Sequence, residues 1–285
     1  MTLRILTRHS TQLPPDVHQE RAVLCQAVNE VRGGSTPTGF ADPLGGLLDL
    51  PGVAEAVRAA RDAVDGVHRH PANRRGWPAT AAEASVRAAR ASAAIDGGST
   101  EIPADGEVSD PVLAGALRVA ESVGLLLSVW RRAPLQALAR LHVLAAADLV
   151  PASEQDALGR PTVDDTVSAR LDLLARLVAG GTSAPGPVLA AVVHGELLGL
   201  EPFDTANGVI ARAAARLTAV STGLDPKGLV VPEVAYLRRR AEYLARADGF
   251  ASGEPEGVGG WIRFCCEALE AGAREATSIA EATSA

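Results

Sequence analysis

Apolar residues recur along this chain at helical spacing, and strand-like alternation is almost absent. That pattern restricts the chain to packed helices. Aromatic residues make up only 3% of the sequence while 47% of residues are hydrophobic, so the core is built from Ala, Leu and Val, which lets helices approach closely. The expected fold class is therefore all-α.

The helices can be placed by their breaks. One runs from Asp16 to about Arg32 and ends at the Gly-Gly-Ser-Thr-Pro-Thr-Gly stretch over 33–39; a second spans about Gly52–Val67 before a polar segment from Arg69 to Trp77. From Pro78 the pattern becomes regular, with helices over Ala81–Ile95, Val112–Trp130, Pro134–Ala147 and Thr162–Val178. Asp110-Pro111 combines a capping carboxylate with a first-turn proline. After Gly180–Pro187 comes Val188–Leu200, whose broad apolar face predicts a central, buried helix. A helix carrying Arg212 then runs to about Thr222, Asp225-Pro226-Lys227 is expected to cap another, and the last spans about Glu256–Thr277. The division this suggests is an N-terminal helical accessory region over 1–77 and a helical core over 78–285.

Charge and cysteine usage exclude several functions. A formal net charge of −7 with no basic stripe argues against a nucleic-acid partner, since Arg131-Arg132 and Arg238-Arg239-Arg240 are short enough to be solvated helix faces. Cys25, Cys265 and Cys266 form no C-x-x-C pair, which points to a reducing, cytoplasmic setting without disulfides or structural zinc. His68-Arg69-His70 is a poor metal pair, because histidines at i and i+2 diverge on a helix. The apolar run at the N-terminus is short for a signal peptide, and no apolar run is expected to span a membrane.

The chemistry concentrates in His194–Arg212. Here an apolar helix leads into Glu201-Pro202-Phe203, then a polar loop, Asp204-Thr205-Ala206, then Asn207-Gly208 at the start of a second Ala-rich helix carrying Arg212 and Arg216. A loop feeding a helix start is a ready anion site, because free N–H groups and the positive end of the helix dipole face it. Pro202 also pushes Glu201 out of the α region, as at an ordinary helix end.

Read as helix, loop, helix, this segment resembles the Fic/Doc (fido) family, whose usual form is His-Pro-Phe-x-Asp/Glu-Gly-Asn-Gly-Arg-x-x-Arg. Pro202, Phe203, Asn207, Gly208 and Arg212 fall in register, and His194 matches a histidine that members often carry seven residues earlier. The resemblance implies a fido-type helical bundle, with Ala206, Asn207, Gly208 and Arg212 on the nucleotide or phosphate side and ATP with Mg²⁺ as the family's cofactors. Glu201 stands at the position of the family's catalytic histidine, Thr205 at that of its metal carboxylate and Val209 at that of its first arginine. An unperturbed Glu titrates near ~4.3 against ~6.5 for His, so Glu201 would be a weak base. Asp204 lies one residue early for the metal. His194 is about 10 Å away along the helix axis, from a rise of about 1.5 Å per residue, and reads as a core histidine hydrogen-bonded between helices.

Upstream, Ser92-Ala93-Ala94-Ile95-Asp96-Gly97 resembles the family's inhibitory helix, Ser/Thr-x-x-x-Glu-Gly/Asn. Carried over, Ser92, Asp96 and Gly97 belong to it, and Asp96 would face Arg212. The alternative is a plain helix end with Gly97-Gly98 as the stop. Active members dock targets on a β-hairpin flap, for which residues 149–165 offer little β-branched alternation.

Three readings stand. The first is a fido protein that resembles protein adenylyltransferases but has lost AMP transfer, keeping a nucleotide-binding or regulatory role. The second is an active nucleotidyl- or phosphotransferase with altered residues, and the third a helical interaction module with a vestigial pocket. Partners left open are another protein or a second copy of the chain.

Overall fold

The computed structural model describes residues 42–284. The helix expected over 16–32, the break after it and Cys25 lie outside them. Among the described residues the chain forms ten α-helices joined by short helical turns and loops, with no strand. These are α1 (Val53–Arg69), α2 (Trp77–Ile95), α3 (Pro111–Arg132), α4 (Pro134–Ala146), α5 (Asp165–Arg176), α6 (Gly186–Leu200), α7 (Asn207–Ser221), α8 (Pro232–Arg238), α9 (Arg240–Ala251) and α10 (Pro255–Ser284).

Helix α6 is the axis. Every residue from Pro187 to Leu197 is buried, as expected from its broad apolar face. α7 returns against it, α9 and α10 cover further faces, and α3 and α4 close the bundle beside α7. Small residues set the spacing: a Cβ on Gly115 would lie 2.1 Å from the Ala145 carbonyl oxygen, so the backbones of α3 and α4 touch there.

Side-chain caps or first-turn prolines mark most helix starts. Asp110 accepts the Leu113 N–H at 2.7 Å. Asp164 accepts from Thr166 and Val167 at 2.8 and 2.9 Å, which starts α5 at Asp165 and not at Thr162. α2 starts at Trp77, ahead of the expected Ala81, because Pro78 suits a first turn.

Three expectations change, while α1, from the region read as accessory, packs Val53, Val57, Ala60 and Val64 in the same cluster as Val192 and Trp261. Asp225 caps no helix; its carboxylate accepts the Leu229 and Val230 N–H groups at 3.0 and 2.9 Å and meets His68 at 2.9 Å, folding 225–231 into a turn. α3 is long and apolar enough to cross a membrane, contrary to the sequence reading. Its Leu113, Ala116, Val119, Leu126 and Trp130 are nevertheless buried in the bundle. Finally, two helices, α8 and α9, occupy the stretch where one was expected.

Candidate functional site

The loop between α6 and α7 is built by local geometry. Glu201 ends α6 in the left-handed region, φ 42° and ψ 59°, with its N–H on the Leu197 carbonyl at 3.2 Å. Pro202 denies it the right-handed region. Ala206 is the other non-glycine residue with positive φ among those described, at 60°. Between them Asn207 clamps Phe203 twice: its Oδ1 accepts the Phe203 N–H at 3.0 Å and its Nδ2 donates to the Phe203 carbonyl at 2.5 Å. The Asn207 amide thus shapes the loop.

A cavity of about 610 Å³ opens beside this loop. Glu201, Asp204, Thr205, Ala206, Asn207, Gly208 and Arg212 all line it, so the structure brings the candidate loop residues together. Ile95 at the end of α2 and Asp96 just after it, Ala145 of α4 and Tyr243 of α9 complete the polar and apolar walls. This volume falls within the usual range of small-molecule sites.

Arg212 is buried, and its donors are engaged by α2 and α9. Nε donates to Ser92 Oγ at 2.8 Å and Nη2 to the Ser92 carbonyl at 3.0 Å. Nη2 also pairs with Asp96 Oδ2 at 2.8 Å, and Nη1 reaches Tyr243 Oη at 3.3 Å. Burial works against the guanidinium charge, but Tyr243 and Asp96 more than offset it and raise its pKa. Burial pushes the Tyr243 hydroxyl up to about 12, with Arg212 opposing.

The Asp96 carboxylate also covers the start of α7. A Cβ on Gly208 would lie 2.5 and 2.6 Å from its two oxygens, so this contact requires glycine at 208. The Ser92–Gly97 segment both closes a helix and reaches Arg212. The Gly98 N–H returns to the Ala93 carbonyl at 2.9 Å and Gly97 has φ 90°, which closes α2, while Ser92 and Asp96 hold Arg212.

His194 is a core histidine. Its Nε2 meets Tyr243 Oη at 2.8 Å, and its ring packs against Tyr236, Tyr243 and Trp261. Burial, aided by Arg212, holds it well below the ordinary imidazole range. Arg216 holds the turn after α7 by donating to the Gly228 and Val230 carbonyls at 2.6 and 3.1 Å.

The sequence reading missed Tyr243 and His142. Tyr243 links His194 to Arg212, and its scarcity was the available signal: Tyr236 and Tyr243 are the chain's two tyrosines. His142 stacks on Phe203 with centroids 4.3 Å apart and planes 21° from parallel. Nothing in its Ala- and Leu-rich helix sets it apart.

As arranged, these groups do not fit Mg²⁺ and a triphosphate. Arg212 is the one cationic side chain lining the cavity among the described residues, and it is already paired. Three carboxylates, Asp96, Glu201 and Asp204, face the same space, where they repel polyanions. The stretch over 149–165 forms a helical turn, Ala152–Ala157, and coil with no hairpin.

No family model matches the sequence, and no curated protein matches it. Solved structures do. A Fic family protein from Desulfovibrio desulfuricans G20 superposes with a TM-score of 0.64 at 21% identity, over 80% of this chain and 74% of that one. Fic-1 from C. elegans gives 0.61 at 19% identity, over 82% of this chain and 74% of that one. The helical bundle described here is thus the fold of Fic family proteins.

Proposed function

We propose that this protein has a Fic fold without AMP transfer, and that it serves as a regulatory protein whose anion site is kept shut by its own Asp96. The pairing of Asp96 with buried Arg212 at 2.8 Å carries this reading. The phosphate side is retained in Asn207, Gly208 and Arg212, while Glu201 and Thr205 stand where the resemblance places a base and a metal carboxylate. Nucleotide binding in this reading requires Asp96 to move aside. Without a strong base or a metal carboxylate, occupancy signals and does not react.

Calorimetry with ATP and Mg²⁺ on wild type and Asp96→Ala, beside incorporation of labelled nucleotide, tests both parts. Asp96→Ala is expected to bind ATP more tightly than wild type, and neither protein to transfer label. No binding by Asp96→Ala at millimolar ATP sinks the nucleotide role. Label transfer by either protein sinks the loss of activity and favours the second reading, a transferase using Glu201 or Asp204, both of which line the cavity. Label that vanishes in Glu201→Ala would assign the base.

A further inference from the structure

Residues 150–164 cross from α4 to α5 as a largely exposed strap along one wall of the cavity, which Leu149 and Thr162 help to line. Apart from the Asp164 cap that joins it to α5, three hydrogen bonds among the described residues tie the strap to the rest of the protein. The Gly159 N–H donates to His142 Nδ1 at 2.9 Å, the Thr162 N–H to the Pro202 carbonyl at 2.8 Å, and Gln155 Nε2 to the Ala147 carbonyl at 3.1 Å. Gly159 has φ 78°, and a Cβ there would come within 3.1 Å of the Ala139 carbonyl oxygen, so glycine lets the strap lie close on α4.

The first tie has a strict chemical condition. A backbone N–H can only donate, so Nδ1 of His142 is the acceptor and the imidazole proton sits on Nε2. A second proton would have to sit on Nδ1. Two donors would then face each other, and the bond to Gly159 would be lost. The remaining surroundings pull both ways on the cation, burial against it and Asp204 for it. Nε2 is buried without a hydrogen-bond partner among the described residues, Phe203 stacks on the ring, and Asp204 in the same loop is the charged group that acts on it. The strap presents Gly159 and the helix its own apolar face, Leu138, Leu141 and Ala145.

We propose that His142 is the catch of a proton-operated strap: neutral, it holds Gly159 and keeps residues 150–164 against the cavity; protonated, it releases them. Burial holds this imidazole below its ordinary range and Asp204 works against that, so release falls on the acid side of neutrality. The device is independent of what the cavity binds.

Amide hydrogen exchange on the full chain at pH 7.5 and 4.5, expressed relative to intrinsic rates, tests it. In wild type, protection of the Gly159 amide should fall about tenfold at the lower pH, the loss of one hydrogen bond. His142→Asn places an oxygen near the Nδ1 position and cannot be protonated, so protection should persist at both pH values. His142→Phe keeps the stack on Phe203 but offers no acceptor, so protection should be low at both. Equal protection of wild type at the two pH values overturns the proposal, as does His142→Asn behaving like wild type. Should His142→Phe fail to fold by circular dichroism, the wild-type and His142→Asn comparison still decides.

Discussion

Gly208→Ala is the sharpest probe of the Asp96 contact, because two effects of opposite sign meet there. Gly208 is the second residue of α7, where alanine stabilises a helix over glycine by about 0.5–1 kcal/mol. The new Cβ, however, would fall 2.5 Å from Asp96 Oδ2 and 2.6 Å from Oδ1, well inside contact distance. The carboxylate must therefore back away from Arg212. A charge-assisted hydrogen bond is worth about 1.5–3 kcal/mol, and the lower half applies because Asp96 is 26% exposed. The net expectation is a loss of about 1 kcal/mol, or a fall of roughly 2–4 °C in melting temperature for a chain of this size. In an Asp96→Ala background the clash is gone, while Arg212 keeps Ser92 and Tyr243. There the same substitution should stabilise by about 0.5–1 kcal/mol. Urea denaturation of the four proteins in the cycle measures this, and an equal loss from Gly208→Ala in both backgrounds would refute the reasoning.

Ala206→Gly should stabilise by about 0.5–1 kcal/mol, because relief of the left-handed backbone at φ 60° outweighs the added freedom of the unfolded chain; a loss of stability in the same denaturation assay would contradict this. Gly115→Ala should cost about 3 kcal/mol or more, since the new methyl meets the Ala145 carbonyl oxygen at 2.1 Å and helix backbone cannot yield cheaply; a near-neutral midpoint would show that α3 and α4 can separate. His194, held well below its unfolded value by burial, contributes stability that is present above about pH 6.5 and lost as pH falls. With the folded imidazole still neutral, this loss is about 1 kcal/mol between pH 6.5 and 5.5. Burial raises Glu196 and Glu233, which act in the opposite sense at lower pH, so the test is the difference between wild type and His194→Gln. The variant's stability should fall less over that interval.

The elements that the sequence made legible are those in which a single physical pattern dominates. α6 has a broad, mostly apolar face, and only a central position buries such a helix. Asp96 and Arg212 were paired through the resemblance of two segments to one family's motifs, and they meet at 2.8 Å. Asp225 was misread because an aspartate before a proline suits a helix cap and a turn equally; both accept nearby backbone N–H groups, and only the tertiary contact with His68 separates them. α8 and α9 blurred together because α9 exposes most of its surface and buries chiefly Tyr243 and Phe250, leaving little periodic signal. His142 was invisible for a different reason. Its meaning lies in a backbone N–H donated across a loop, which no side-chain pattern records.

In the anion site proposed above, Asp96 belongs to the same chain as Arg212 and so would compete as a tethered ligand, never diluted and always within reach. If closing is favoured by about 2 kcal/mol, the open form is roughly one molecule in thirty, and any external anion binds that much more weakly than the bare site would allow. A ligand of about 50 μM intrinsic affinity would then register near 1–2 mM on the wild-type protein. Screens run on the unmodified chain would pass over it, whereas the same library on Asp96→Ala would report the site's own preference.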